Sequence, residues 1–115
     1  MRPTDRTKLG MFFSEQMCDY PGIYIVACYP VLGCIYIGMS NNILRRMREH
    51  LALDNDKLGS FLRNSYADSV GFRIDTFYCE DENQRRAIEE KLIRYFSPFL
   101  NTQHIQSQNL LPQNP

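Results

Sequence analysis

Two tyrosines, an arginine and a histidine carry the chemistry most readily read from this 115-residue chain. Tyr24 and Tyr36 each sit in a short run of β-formers, Gly22 to Tyr29 and Cys34 to Gly38, and Arg46 and His50 follow one helical turn apart. A free phenol has a pKa of about 10 and is a poor base at neutral pH. Positive charge beside it favours phenolate, and Arg46 and His50 are candidate sources. On periodicity alone these residues read as two core tyrosines and a solvated basic flank.

The elements that must position them are legible in outline. Two β-rich runs separated by Pro30-Val31-Leu32-Gly33 make a β-hairpin. Side chains alternate along a strand, so Ile23, Ile25 and Ala27 share one face of the first strand, and Tyr24, Val26 and Cys28 share the other. Placing Ile35 and Ile37 with the first set, on a core face, brings Tyr24 and Tyr36 together on the opposite face. That register needs an odd-length connection, for instance Tyr29 to Gly33 with Gly33 in a bulge. Ser40, Asn41 or Asn42 caps the next helix, Ile43 to Ala52, whose buried stripe is Ile43, Met47 and Leu51. Arg46 and His50 border that stripe. A second helix is expected over Lys57 to Tyr66, burying Leu58, Phe61 and Leu62 and weakened by Gly59, and a third strand over Val70 to Tyr78. Asp81 and Gln84 form a capping-box pattern opening a last helix, Glu82 to Phe96, with Ile88, Leu92, Tyr95 and Phe96 as its buried stripe. Ser97-Pro98 ends it. The expected fold is α/β (α+β): a small three-stranded antiparallel sheet flanked by helices. Residues 1–20 form an N-terminal extension with a short helix around Leu9 to Met17, residues 21–101 the domain, and residues 102–115 a polar tail, read as disordered from Gln106.

Composition bounds the function. The chain is one domain's worth, 43% hydrophobic, with no apolar run near the ~20 residues of a membrane span. Nothing at the start reads as an export signal, so a cytoplasmic location is expected. Cys18, Cys28, Cys34 and Cys79 lack Cys-x-x-Cys pairing and read as reduced, packed thiols. The 13 basic and 13 acidic residues balance, which argues against tight non-specific nucleic-acid binding by the whole surface. Arg45, Arg46 and Arg48, with Lys57 and Arg63 beyond, still provide a local basic patch suited to brief binding and chemistry.

Gly22-Ile23-Tyr24 paired with Tyr36-Ile37-Gly38 resembles the double signature of the GIY-YIG nuclease superfamily, over about Pro21 to Asn101. Arg46 matches that superfamily's helix arginine and His50 a histidine found in part of it. Glu89, Pro98 and Asn101 match its terminal phrase, a metal-holding glutamate followed by Pro-x-x-Asn. Glu89 is chosen over Glu90 by counting back from Pro98 and Asn101. Many relatives carry a lysine directly after the second triplet; here it is Met39, so any duty of that lysine is absent or passes to His50.

The resemblance implies hydrolysis of a DNA phosphodiester with one divalent cation, Mg2+ or Mn2+. A lone glutamate suits Mg2+ that keeps most of its waters, and no second carboxylate is apparent for a two-metal site. By the resemblance Glu89 holds the metal and Arg46 braces the phosphoryl oxygens. Tyr24 is the general base with His50 relaying its proton, and Tyr36 orients the water or a phosphate oxygen; the two tyrosines could exchange roles. Gly22, Gly38 and Asn101 organise the site, Asn101 equally readable as a turn former, and Ser40 and Arg45 are candidate phosphate contacts. Asp75 with Glu89-x-Lys91 mimics another nuclease pattern, but positions two apart on a helix point in nearly opposite directions. A reading of a different class is a nucleic-acid-binding module that keeps the fold without cutting. DNA is the expected partner, with a homodimer or a partner protein supplying specificity.

Overall fold

The computed structural model describes residues 8–11, 13, 19–29, 33–68 and 71–101. The elements are β1 (Gly22–Tyr29), β2 (Gly33–Ser40), α1 (Ile43–Ala52), α2 (Lys57–Ala67), β3 (Gly71–Tyr78) and α3 (Glu82–Phe96). The strands form one antiparallel sheet in the order β2-β1-β3. The hairpin turn at 30–32, Phe12, Met17, Cys18, Val70 and residues 102–115 lie outside the described residues.

The tyrosines do share a face: Tyr24 pairs with Gly38 and Val26 with Tyr36. The extra residue lies elsewhere than expected. Val26 pairs with Tyr36 but Ala27 with Cys34, so the bulge falls at Ile35 and not at Gly33. Ile35 is thereby turned from the isoleucine set and packs against the main cluster. That cluster sits on the tyrosine face and not on the isoleucine face: Tyr24 and Val26 are buried with Leu9, Phe13, Ile43, Met47, Leu51, Leu58 and Leu62. The N-terminal helical residues, α1 and α2 all deliver their apolar stripes to this side, so it carries most of the burial.

α3 lies over the other face and covers it incompletely. Ile88, Leu92 and Phe96 line a groove of about 730 Å³ with Ile23, Ile25 and Phe77. The expected buried stripe is corrected accordingly. Tyr95 is 82% exposed, Ile88 and Phe96 are exposed, and in this helix Arg85 is the buried residue. A single helix crossing a sheet buries only the side chains directly beneath it, and among the described residues no further layer covers the rest.

Capping follows sequence logic. Asn42 caps α1 by accepting from Arg45 N at 2.9 Å, Asp56 caps α2 through Gly59 N at 2.7 Å, and Asp81 caps α3 through Gln84 N at 2.8 Å. α3 closes at Ser97 in the left-handed conformation (φ 45°), and buried Pro98 follows.

Gly59 serves a purpose its helix propensity hides. A Cβ there would stand 1.9 Å from the His50 carbonyl oxygen, so only glycine lets α2 cross α1 this closely. Arg63, placed above in a basic patch, is 5% exposed and donates instead to Leu51 O (2.8 Å) and Asp54 O (3.2 Å), satisfying carbonyls where α1 ends. Gly59→Ala is expected to destabilise the fold by about 3 kcal/mol, because backbone cannot move aside as a side-chain tip can. Urea unfolding should show a lower midpoint at unchanged slope.

Candidate active site

The sheet and α1 bring the sequence-marked groups to one place. Tyr24, in the middle of the sheet, is 1% exposed, and its hydroxyl lies 2.9 Å from His50 Nε2. Gly38, cross-strand from Tyr24, makes room for it: a Cβ at that position would lie 2.4 Å from the phenol ring. Tyr36 stands beside both, its ring centroid 6.0 Å from that of Tyr24 and 5.8 Å from that of His50. Arg46, one turn before His50 on α1, has its side chain partly exposed and paired with Glu49 at 3.1 Å. A pocket of about 400 Å³ opens here; Tyr36, Arg46, His50, Asp56, Leu100 and Asn101 are among its walls. Tyr24 lies beneath, covered by its neighbours.

Sequence reading missed Asp56. It lies six residues beyond His50, past the turn that joins α1 to α2. Its Oδ2 is 2.9 Å from His50 Nδ1 and accepts Gly59 N–H at 2.7 Å. The available signal was the N-cap position: an Asp opening a helix that packs against the histidine's own helix.

The electrostatics follow from burial. Desolvation holds the Tyr24 pKa well above 10, with Tyr36 and Glu89 adding to it and Arg46 opposing. Tyr36 is raised by burial too, again opposed by Arg46. Burial pulls His50 below its ordinary 6.5, although Asp56 acts the other way. His50 is therefore neutral near pH 7. Burial works against the Arg46 charge, but Tyr24, Glu49 and Tyr36 outweigh it, and its pKa lies above the ordinary value.

Glu89 is half-buried on α3, and its charge reaches both phenols. Burial raises its carboxyl pKa, with Arg86 opposing and Glu90 adding. Among the described residues it has no ion-pair partner, and no group of three or more His, Cys, Asp and Glu side chains that could hold a metal is present. Glu89 is not among the pocket's walls, but a carboxylate half-withdrawn from water, unpaired within ion-pair distance and near enough for its charge to act on both phenols, fits a hard cation that keeps most of its waters. It does not fit a cage of protein ligands.

The remaining sequence-marked residues divide. The Asn101 side chain spans the edge of β2, its Oδ1 accepting Ile37 N–H at 2.8 Å and its Nδ2 donating to Ile37 O at 3.0 Å. It thus satisfies an edge strand's free groups and holds the end of the domain next to Tyr36. Gly22 opens β1, paired with Ser40 and Tyr78. Ser40 Oγ is engaged by Asn42, donating to its carbonyl and accepting its N–H, both at 2.9 Å. Arg45 points along the outside of α1 to Asn41 (2.7 Å) and Glu49 (3.5 Å) and is not among the pocket's walls. Cys28, Cys34 and Cys79 are free thiols.

Residues 20–104 match the family described as GIY-YIG catalytic domain. Among solved structures, the chain is similar to the GIY-YIG N-terminal endonuclease domain of UvrC from Thermotoga maritima. A point mutant of that domain bound to its catalytic divalent cation is 21% identical, with 86% of this chain and 96% of that chain covered at a TM-score of 0.57. The same domain bound to magnesium is 21% identical, with coverages of 86% and 97% and a TM-score of 0.57. At this identity the likeness shows the fold. No curated protein sequence matches the chain.

Proposed function

The chain belongs to the GIY-YIG family, and from that premise we propose that it is a metal-dependent DNA endonuclease that hydrolyses phosphodiester bonds with one divalent cation and a tyrosine general base. The observation that carries the proposal is the buried Tyr24–His50 contact, whose histidine lines one pocket together with Arg46 and Tyr36. Magnesium, the cation held by the similar UvrC domain, would be held here by Glu89 and, when bound, supplies Lewis-acid stabilisation of the charge developing on the phosphate and the leaving oxygen.

The chain's own groups do the rest. His50 is neutral, so its Nε2 lone pair accepts the Tyr24 hydroxyl proton. Tyr24 takes a proton from the attacking water as it gives its own to His50. With both phenols held above 10, neither serves as a standing phenolate, and transfer through the pair replaces prior ionisation. Tyr36, facing the pocket, orients the water at its floor. The Arg46 guanidinium, half drawn from solvent, offers two parallel donors to non-bridging phosphate oxygens once it releases Glu49.

The test is nicking of supercoiled plasmid. Cleavage should appear with Mg2+, persist with Mn2+ and vanish with chelator. Purified protein that binds DNA yet never cuts would establish the non-cleaving alternative instead.

The pH dependence has a defined sign. Protonated His50 has no lone pair for Tyr24, so the rate should stay level from pH 8 through 6.5 and fall in proportion to acidity only below that, because burial lowers the His50 pKa. The same shift makes the fold lose stability as pH drops below 6.5: the unfolded chain then binds a proton that the native imidazole refuses. Single-turnover rates and thermal melts across pH 4.5–8 as a rough span read both effects.

A further inference from the structure

We infer that Asp56 is a positioning residue of this site: its carboxylate fixes the His50 tautomer and holds the positive charge that forms on the ring when Tyr24 gives up its proton. The inference rests on the proposed tyrosine-base reaction for its catalytic consequence, but its structural content stands by itself.

Hydrogen-bond chemistry decides the tautomer. A carboxylate oxygen can only accept. Asp56 Oδ2 is 2.9 Å from His50 Nδ1, so Nδ1 carries the proton and donates it. Nε2 of the neutral ring is then left as an acceptor, 2.9 Å from the Tyr24 hydroxyl, which donates. The reverse tautomer would set a lone pair against the carboxylate and an N–H against the group that must lose its proton. Asp56 is itself fixed, because the same Oδ2 takes Gly59 N–H at 2.7 Å as the cap of α2.

The α1–α2 corner is built around this histidine. Gly59 lets α2 close onto the His50 carbonyl, and Arg63 ties the Leu51 carbonyl, one residue on, to the same helix. His50 is 2% exposed and cannot borrow water to correct a misplaced proton. Packing, capping and the proton path thus share one residue, Asp56. The other charged or titratable groups about the ring are Tyr24 and Tyr36 from the sheet, Arg46 and Glu49 from its own helix, and Lys57 of α2, which lines the same pocket. Of the groups that act on His50, Asp56 is its hydrogen-bonded counter-charge.

Asp56→Asn and Asp56→Ser separate the roles, since Asn and Ser both cap helices well. Nitrogen-15 spectra of the histidine ring in the whole protein should show Nδ1 protonated and Nε2 bare in the wild type. Asp56→Asn, whose amide oxygen can still accept, should melt close to wild type. Asp56→Ser should melt lower, because the buried Nδ1–H loses its acceptor. In both, the His50 titration should move to lower pH as its counter-charge is lost. With plasmid, kcat should fall by about one to two orders of magnitude, part of the two to four that a general base supplies, with KM unchanged. Protonated Nε2 in the wild type overturns the inference, as does a His50 titration unmoved in both variants. The wild-type spectrum decides even if a variant fails to fold. The expected tautomer and titrations in a protein that never cleaves would sink the nuclease proposal and leave the positioning of His50 standing.

Discussion

Glu89→Gln should leave a folded protein that cleaves DNA about a thousandfold more slowly, ~4 kcal/mol of lost transition-state stabilisation. Glutamine keeps the size and shape of the side chain on α3, so packing does not change. It removes the charge that, on the proposed mechanism, would give a hydrated cation its single protein anchor. Wild-type carboxylate here is disfavoured by burial, which raises its pKa. That burden is absent below the ordinary value of 4.5 and grows as pH rises through the folded pKa. At neutral pH the glutamine variant should therefore melt no earlier than wild type in metal-free buffer. Added Mg2+ should raise the wild-type melting temperature, as any ligand of the native state does, and leave the variant's unmoved. A glutamine variant that keeps its rate, or that melts later with Mg2+ as the wild type does, removes Glu89 from the cation site.

Tyr24→Phe should cost about three orders of magnitude in kcat, within the range a general base supplies, while Tyr36→Phe costs about one. The phenyl ring keeps the core contacts of a residue that is 1% exposed. Only the oxygen is lost, and His50 Nε2 is left buried with no donor. That should destabilise the fold by about 1–3 kcal/mol, too little to unfold a domain of ordinary stability. The acid limb should flatten in the residual activity of Tyr24→Phe, because His50 no longer receives a proton from the reaction. Tyr36→Phe should retain it. A larger loss in Tyr36→Phe would assign the base to the pocket-facing phenol and make Tyr24 its relay.

Arg46 and His50 share one side of α1 because 3.6 residues per turn puts positions four apart in line. Tyr24 and Tyr36 share one face of the sheet because side chains alternate, and a bulge placed beyond Tyr36 leaves that parity intact at the site. Caps at Asn42 and Asp81 and the stop at Ser97 are equally local, which is why helix bounds were legible. Which face would be buried was not. Both hairpin faces are apolar, and the choice was made by α1, α2 and the N-terminal helical residues packing together on the tyrosine side.

Sequence alone determined the family signature, the strands and helices that present it, and the meeting of two phenols, a guanidinium and an imidazole along one side of the hairpin. Tertiary structure alone decided the protonation of that imidazole, through an aspartate beyond a turn. It also decided the docking of Asn101 on Ile37, 64 positions away, and the open groove beneath α3. The physical reason is range. Backbone periodicity and capping act within a few residues, whereas burial and the pairing of side chains across helices depend on which distant surfaces close on one another.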